Sequence, residues 1–206
     1  MKNEEKLALI ECFKQHAGVK EILLSDVSYM QGMSGNGLTT EKGNENSWVD
    51  ISVMAVPANF FSFMNIPIEQ GRLPQTEKDI VVDNVWQQIQ KKDVIGMNLY
   101  SGNTDYTICG ISAPFQADVY NRSSGYAFLP YDPSVYIGHC YIKSHPGQQK
   151  EVARWIEKVY REMLPENITY QAKTFLDDIY VSQALECNLK DIILFFAVIS
   201  IIITLL

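Results

Sequence analysis

Several signatures of catalysis and of nucleic-acid binding are missing from this sequence of 206 residues. It contains no GxxxxGK[ST] motif, so it has no recognisable loop for holding the phosphates of ATP. Lys and Arg number 17 against 24 Asp and Glu, and the densest basic spot is the pair Lys91 and Lys92. Because nucleic-acid phosphates are bound by clustered Lys and Arg, this balance argues against a nucleic-acid partner.

Cysteine is also scarce, and the four cysteines are widely spaced without a CxxC pair: Cys12, Cys109, Cys140 and Cys187. Disulfide frameworks are typical of smaller, loop-rich chains, so we expect structural thiols. His139, Cys140 and His145 are close in sequence, but a tetrahedral zinc site needs further ligands. On a strand, moreover, His139 and Cys140 point to opposite faces. We therefore predict no metal site and no cofactor.

One short stretch, 32–37, is similar to the Gly-x-Ser-x-Gly motif that presents a nucleophilic serine. Asn36 takes the place of the second glycine, and no helical pattern follows, so a flexible loop is favoured. A domain with well-patterned elements and no convergent catalytic groups is more often a binding or mechanical module. We predict that the chain is not an enzyme and has no catalytic residues.

The periodicity of apolar residues predicts an α+β fold. Strands alternate with amphipathic helices at both ends of the first 173 residues: 3–17 (helix), 19–30 and 48–56 (strands), 139–144 (strand), 147–164 (helix) and 167–173 (strand). These elements predict a split ferredoxin-like βαβ layer made of residues 1–65 and 136–173. Short strands separated by turns over 66–135 predict a small β-rich subdomain inserted into this layer.

The C-terminal part of the sequence predicts one long helix. Thr174 is a plausible N-cap with Asp177 as its capping acid, and 175–206 contains neither Pro nor Gly. Such a helix would be about 48 Å long at ~1.5 Å per residue, too long for an ordinary helix of a domain this size. We expect a stalk helix at 174–190 and the start of a truncated transmembrane helix at 191–206.

The apolar run 192–206 has 15 residues without an ionisable side chain, whereas a full membrane span needs ~20. The run is apolar on all sides, so it cannot be a surface helix, and it is rich in β-branched residues. A membrane helix is therefore favoured, with these membrane-inserting residues: Ile192, Leu194, Phe195, Phe196, Ile199, Ile202 and Leu205. The alternative is a soluble small-molecule-binding or hydrolase domain whose last helix belongs to its core.

The residues before this run predict its orientation in the membrane. Residues 175–191 contain four acidic residues and only one basic residue, Lys190. Because cytoplasmic flanks of membrane helices are enriched in Lys and Arg, this acidic flank predicts that 1–190 lies on the outer side.

Five stretches follow one another in an order that is found in a known family: NFFSFMNIPIEQGR (59–72), DIVVDN (79–84), DVIGMNL (93–99), YTICGIS (106–112) and FLDDIY (175–180). Together they resemble the extracytoplasmic core domain of MacB/FtsX-like ABC transporter permeases. Val94 and Met97 depart from the Pro and Lys of the family pattern. The resemblance covers most of 50–206.

The resemblance implies a non-catalytic periplasmic domain of a permease subunit in the bacterial inner membrane. Such a domain couples ATP-driven motion of membrane helices to the handling of a substrate or partner on the outer side. The implied partners are a separate ABC ATP-binding subunit, a second copy in a homodimer, the membrane, and a periplasmic partner or exported substrate. It also implies a membrane helix before Met1 and further membrane helices after Leu206, so we expect the chain to be a fragment.

Overall fold

Two β-sheets of different size organise the first part of this computed structural model. The structure describes residues 2–29, 37–115, 124–164, 174–177, 189–190 and 192–197. The chain divides into two compact units, Met1–Tyr170 and Gln171–Leu206. The elements of the first unit, in chain order, are α1 (Asn3–Lys14), β1 (Val19–Ser25), β2 (Leu38–Thr39), β3 (Trp48–Val49), β4 (Ser52–Val56), α2 (Phe60–Met64), β5 (Ile68–Gly71), β6 (Asp79–Asp83), α3 (Asn84–Gln90), β7 (Asn98–Ser101), β8 (Thr104–Ser112), β9 (Tyr126–Pro130), β10 (His139–Ser144) and α4 (Gln149–Met163).

The small sheet consists of β1 and β10, which pair antiparallel with Leu23 opposite Tyr141. Helices α1 and α4 pack on it through a common apolar cluster: Leu9, Ile10, Phe13, Ile137 and Val159, with Leu7, Cys12, Ile22, Leu24, Cys140, Ile142, Trp155, Ile156, Tyr160 and Leu164 around them. The helices predicted at 3–17 and 147–164 and the strands predicted at 19–30 and 139–144 are confirmed. The first strand ends at Ser25, earlier than expected, because the hydroxyl of Ser25 and the carboxylate of Asp26 bind the Val27 N–H in a turn.

The large sheet has the strand order β3-β2-β7-β8-β6-β9-β4, and β5 pairs with β8. Its central strand β6 is buried along its whole length. Because side chains alternate between the two faces of a strand, Val81 enters one apolar cluster while Ile80 and Val82 enter a second one. The predicted hairpin over 97–112 is confirmed as β7 and β8, with Gly102 at φ 57° in the turn between them.

The position of β4 corrects one prediction. The sequence placed 48–56 in the same layer as 19–30, but β4 pairs parallel with β9, with Val53 opposite Ala127. The stretch also forms two strands instead of one, because the Ile51 N–H donates to the carbonyl oxygen of Val49 and breaks the extended chain. The returning strand predicted at 167–173 lies outside the described residues, and the boundaries of the inserted subdomain at 66–135 stay a prediction.

In the second unit, the predicted cap at Thr174 is confirmed. The Thr174 hydroxyl oxygen accepts from the Asp177 N–H at 3.1 Å, and the Asp177 carboxylate accepts from the Thr174 N–H at 2.9 Å. Residues 175–177, 189–190 and 192–197 are helical. Among the residues that the structure describes, no helix combines the length and the apolarity that crossing a membrane requires.

Candidate functional site: the junction between the two sheets

Helix α2 connects the two sheets, and Asn59 attaches its first turn to the small one. The Asn59 side-chain amide donates to the carbonyl oxygen of Ile22 at 2.9 Å and to the carboxylate of Glu21 at 3.3 Å. Both acceptors belong to β1. The start of α2 is therefore fixed to the backbone of the small sheet.

The last turn of α2 is attached to the other strand of the same sheet. Lys143 on β10 donates from Nζ to the carbonyl oxygen of Phe63 at 2.5 Å, and its ammonium lies 5.1 Å from the centroid of the Phe63 ring. A cation at the carboxyl end of a helix satisfies carbonyl groups that have no partner within the helix. Asn65 ends the helix in the left-handed conformation, with φ 55°. The two ends of α2 are thus bound by β1 and β10.

The inner side of α2 packs into the apolar cluster that lies between the sheets. Phe60 and Phe61 are buried, and their rings lie 5.5 Å and 5.2 Å from the ring of Phe128 on β9. Side chains of both sheets belong to this cluster: Leu23 and Tyr141 from the small sheet, and Met54, Val81, Cys109, Tyr126 and Phe128 from the large one. The small sheet, α2 and the large sheet therefore share one packed apolar cluster. We call this arrangement, made of α2 with Asn59 and Lys143, the junction.

The turn after β5 is closed by an ion pair. Arg72 donates from both terminal nitrogens to the carboxylate of Asp79, at 2.8 Å and 3.0 Å. The same carboxylate accepts from the N–H groups of Gln75 and Thr76. The Arg72 guanidinium, followed by these backbone donors, lowers the pKa of Asp79 to about 2 in spite of its burial. Gly71 is required beside this pair, because a Cβ there would lie 2.3 Å from the Cys109 carbonyl oxygen.

The end of β6 carries a buried carboxylate. Asp83 caps α3 by accepting from the Trp86 N–H at 3.0 Å, and burial raises its pKa. Gly125 lies directly against it at φ 100°, where a Cβ would be 2.5 Å from Asp83 Oδ1. The stretch DIVVDN therefore encodes a buried strand that ends in a helix cap.

The sequence-derived candidates for metal chemistry are not brought together. His139 and His145 are exposed, whereas Cys140 packs toward α1 and α4, and burial raises its pKa to about 12. Within the described part of the chain, no group of three or more His, Cys, Asp or Glu side chains could hold a metal ion. Cys12, Cys109 and Cys140 are free thiols.

The predicted membrane-inserting residues fall partly on the described chain. Ile192, Leu194, Phe195 and Phe196 lie in the helical stretch 192–197 and are all exposed. The rings of Phe195 and Phe196 are 5.8 Å apart. The remaining three, Ile199, Ile202 and Leu205, lie outside the described residues.

The sequence places Asn59 and α2 in a family-like stretch, but it names no partner for them and does not single out Lys143. Lys143 is the one lysine in the strand HCYIKS, and Asn59 precedes a pair of phenylalanines. A lone lysine in a half-buried strand is a signal that it has a nearby acceptor, but nothing local names the carbonyl of a residue 80 positions earlier.

Comparisons with known proteins give one matching family and two similar solved structures. Residues 12–159, more than two thirds of the chain, match the family described as MacB-like periplasmic core domain. The structure is similar to the periplasmic region of MacB from Actinobacillus actinomycetemcomitans, with a TM-score of 0.56 and 14% identity over 87% of this chain and 82% of the other. It is also similar to the extracellular domain of the noncanonic ABC-type transporter YknZ from Gram-positive bacteria, with a TM-score of 0.54 and 10% identity over 75% of this chain and 82% of the other. A comparison with curated proteins found no match. At these identities the two structures support the fold alone.

Proposed function

Because the chain belongs to the family of MacB-like periplasmic core domains and is therefore a periplasmic domain of an ABC transporter permease, we propose that it transmits movement between membrane helices and its outer surface. The movement is driven by ATP hydrolysis in a separate ATP-binding subunit. The domain itself has a mechanical role without catalysis, and it acts on a substrate or a periplasmic partner. The full permease works as a homodimer in the inner membrane.

The observation that carries this proposal is the double attachment of α2. Asn59 binds one strand of the small sheet and Lys143 reaches α2 from the other, while Phe60 and Phe61 pack against the large sheet. Helices α1 and α4 pack on the same small sheet. A displacement of these two helices would pass through β1 and β10 to α2, and from there into the large sheet.

The second unit supplies the link to the membrane in this proposal. Residues 174–190 form the stalk, and 191–206 begin a membrane helix, into which Ile192, Leu194, Phe195, Phe196, Ile199, Ile202 and Leu205 insert. The exposed apolar side chains of 192–196 support this assignment, since exposing five consecutive large apolar residues to water is costly. The acidic flank before them places residues 1–190 on the periplasmic side.

A distance measurement in the assembled transporter tests transmission. Spin labels on unnatural side chains at positions 42 and 158, both exposed, report the distance between the large sheet and α4. In the parent, we expect addition of ATP to change this distance. In a variant that combines Asn59→Ala with Lys143→Met, we expect a broad distribution of distances that ATP does not change.

The matched control is Lys78→Ala, which removes an exposed ion pair with Asp105 elsewhere on the large sheet. This variant should respond to ATP as the parent does. A junction variant that responds like the parent, or a parent whose distance does not depend on ATP, would contradict the proposal.

A further inference from the structure

Lys143 on β10 lies directly opposite Glu21 on β1, because the two residues are partners in the register of the small sheet. Side chains at such positions share one face of the sheet, with their Cβ atoms about 4.5–5.5 Å apart, and opposite charges there stabilise the strand pair. Both side chains are half-buried. In this described part of the chain, however, they contact α2 and form no ion pair with each other.

The carboxylate of Glu21 is weakly bound in its present position. It accepts from the Asn59 side-chain amide at 3.3 Å and from the Ser62 hydroxyl at 3.5 Å. Both distances exceed the usual ranges of about 2.7–3.2 Å for N–H donors and about 2.5–3.0 Å for O–H donors. Each donor also has a closer acceptor at 2.9 Å, the carbonyl oxygen of Ile22 for the amide and that of Asn59 for the hydroxyl. Glu21 therefore keeps the capacity to bind a charged donor.

The acceptor that Lys143 uses belongs to the part of α2 that is held least firmly. Phe60 and Phe61 in the first turn are buried, whereas Phe63 and Met64 in the last turn are only partly buried. The last turn can therefore shift without opening the apolar cluster. Such a shift would leave the half-buried ammonium without an acceptor, which is costly, unless another acceptor lies close by.

We propose that the Lys143 ammonium alternates between the Phe63 carbonyl and the Glu21 carboxylate, and that the last turn of α2 leaves the small sheet in the second position. This inference relies on the proposed function, in which the two sheets move relative to each other. When the small sheet moves away from α2, the contact with Phe63 lengthens and Glu21 binds the ammonium, so the charge keeps a partner. An element with two alternative sets of contacts can be switched by a small displacement.

Hydrogen exchange of the full chain tests the alternation without ATP. The N–H groups of Asn65 and Ile66 donate to carbonyl groups of α2 at 3.2 Å and 2.9 Å, so their exchange reports opening of the last turn. Glu21→Gln keeps a side-chain oxygen that accepts from α2 but removes the ion pair with Lys143. We expect both amides to exchange about two- to fivefold more slowly in this variant, because the open state loses a cross-strand ion pair.

A second background shows whether this effect passes through Lys143. Lys143→Met alone should speed the exchange of both amides at least about tenfold, because the last turn loses a charged hydrogen bond. Adding Glu21→Gln to Lys143→Met should then change nothing further, since no ammonium remains to pair with. Glu45→Gln removes an exposed acid just before β3, so it is the matched control for charge and should exchange like the parent. Glu21→Met is a second replacement in case Gln disturbs β1, and circular dichroism monitors folding.

Two exchange results would overturn this inference. Exchange in Glu21→Gln that is as fast as in the parent, or faster, would assign to Glu21 only its fixed contacts with α2. The same effect of Glu21→Gln with and without Lys143→Met would show that the ammonium is not involved. Neither result concerns ATP, so the proposed function would stay intact.

The assembled transporter then tests whether transmission uses the alternation. Glu21→Gln should reduce the ATP-dependent change in distance between positions 42 and 158, because the last turn of α2 is released less often. A full change in this variant would overturn the role of the alternation in transmission. A parent without any change would contradict the proposed function instead, and the exchange result would stand.

Discussion

The ammonium group of Lys143 on β10 lies 2.5 Å from the carbonyl oxygen of Phe63, at the last turn of α2. This contact joins the small sheet to a helix whose buried face packs on the large sheet. In the proposed function, movement passes between the sheets through this contact and through the hydrogen bonds of Asn59. Replacement of Lys143 should therefore affect stability and transmission together.

Lys143→Met should lower the free energy of unfolding by about 1–2 kcal/mol, because it leaves the half-buried Phe63 carbonyl without its charged donor. Urea denaturation followed by circular dichroism measures the change. Lys143→Arg, which keeps a donor and a charge, is the control and should lose less than half as much. Equal losses for Met and Arg would point to packing of the lysine stem as the cause.

The ion pair of Arg72 and Asp79 should make the stability of the protein depend on pH in the acidic range. The pKa of Asp79 is lowered to about 2 from its usual 3.8, so the native state favours the ionised form. The resulting stability is fully present at pH values above the unfolded-state pKa of Asp79, and it is lost as the pH falls from about 4 toward 2. Because Arg72 is half exposed, solvent screening should reduce this contribution well below that of a buried ion pair.

Asp79→Asn should remove most of this acid dependence and lower stability at neutral pH. Urea titrations between pH 2 and 7 measure both effects, with Asp105→Asn as the control for an exposed ion pair. If the Asp79→Asn variant lost as much stability at low pH as the parent, other carboxylates would be responsible for the acid sensitivity.

Asp83 should give stability the opposite dependence on pH. Burial raises its pKa, so the native state disfavours its ionised form, and the stability associated with the protonated form is lost as the pH rises through the folded-state value. Asp83→Asn keeps a helix cap without the buried charge, because Asn caps helices about as well as Asp. We expect this variant to equal or exceed the parent in stability at pH 7, whereas Asp83→Ala should lose about 1 kcal/mol with the cap. A less stable Asn variant would show that the carboxylate is needed for its backbone donors.

Gly125→Ala should be strongly destabilising. At φ 100° an L side chain is strained, and the new Cβ would lie 2.5 Å from Asp83 Oδ1 and 2.6 Å from the Trp86 nitrogen. We expect a loss of about 2–4 kcal/mol. Gly102→Ala is the matched control, since its φ is also positive at 57° but nothing lies within 4 Å, so strain alone should cost about 1 kcal/mol. Similar losses in the two variants would mean that the structure around Asp83 adapts to the methyl group.

The sequence predicts elements in this protein better than their pairing. Alternating and helical periodicities correctly indicated α1, α4, the hairpin of β7 and β8, and the cap at Thr174, because each depends on residues close in sequence. The pairing of β4 with β9 joins residues more than 70 positions apart. A five-residue apolar strand fits several neighbours equally well, so its periodicity could not choose between the sheets.

The same distinction applies to the junction. The partners of Asn59 and Lys143 are set by tertiary packing, so local patterning carries no information about them. The family-like stretches were informative about the family for another reason. Gly71, Arg72 and Asp79 form one closed turn, so the residue types and their spacing are constrained together.

Ending the chain at Lys190 separates the membrane role of 191–206 from a role in the core. If the run is a membrane helix, removing it takes nothing from the first unit, so the shortened chain should stay in solution and unfold at the same urea concentration as the full chain in detergent. Leu194→Asp with Phe195→Asp in the full chain is the companion variant and should weaken vesicle binding, because charged residues are costly within a membrane helix. A shortened chain that aggregates or unfolds at lower urea would instead place the run in the core of a soluble domain, since removal of a core helix exposes the surface it covered.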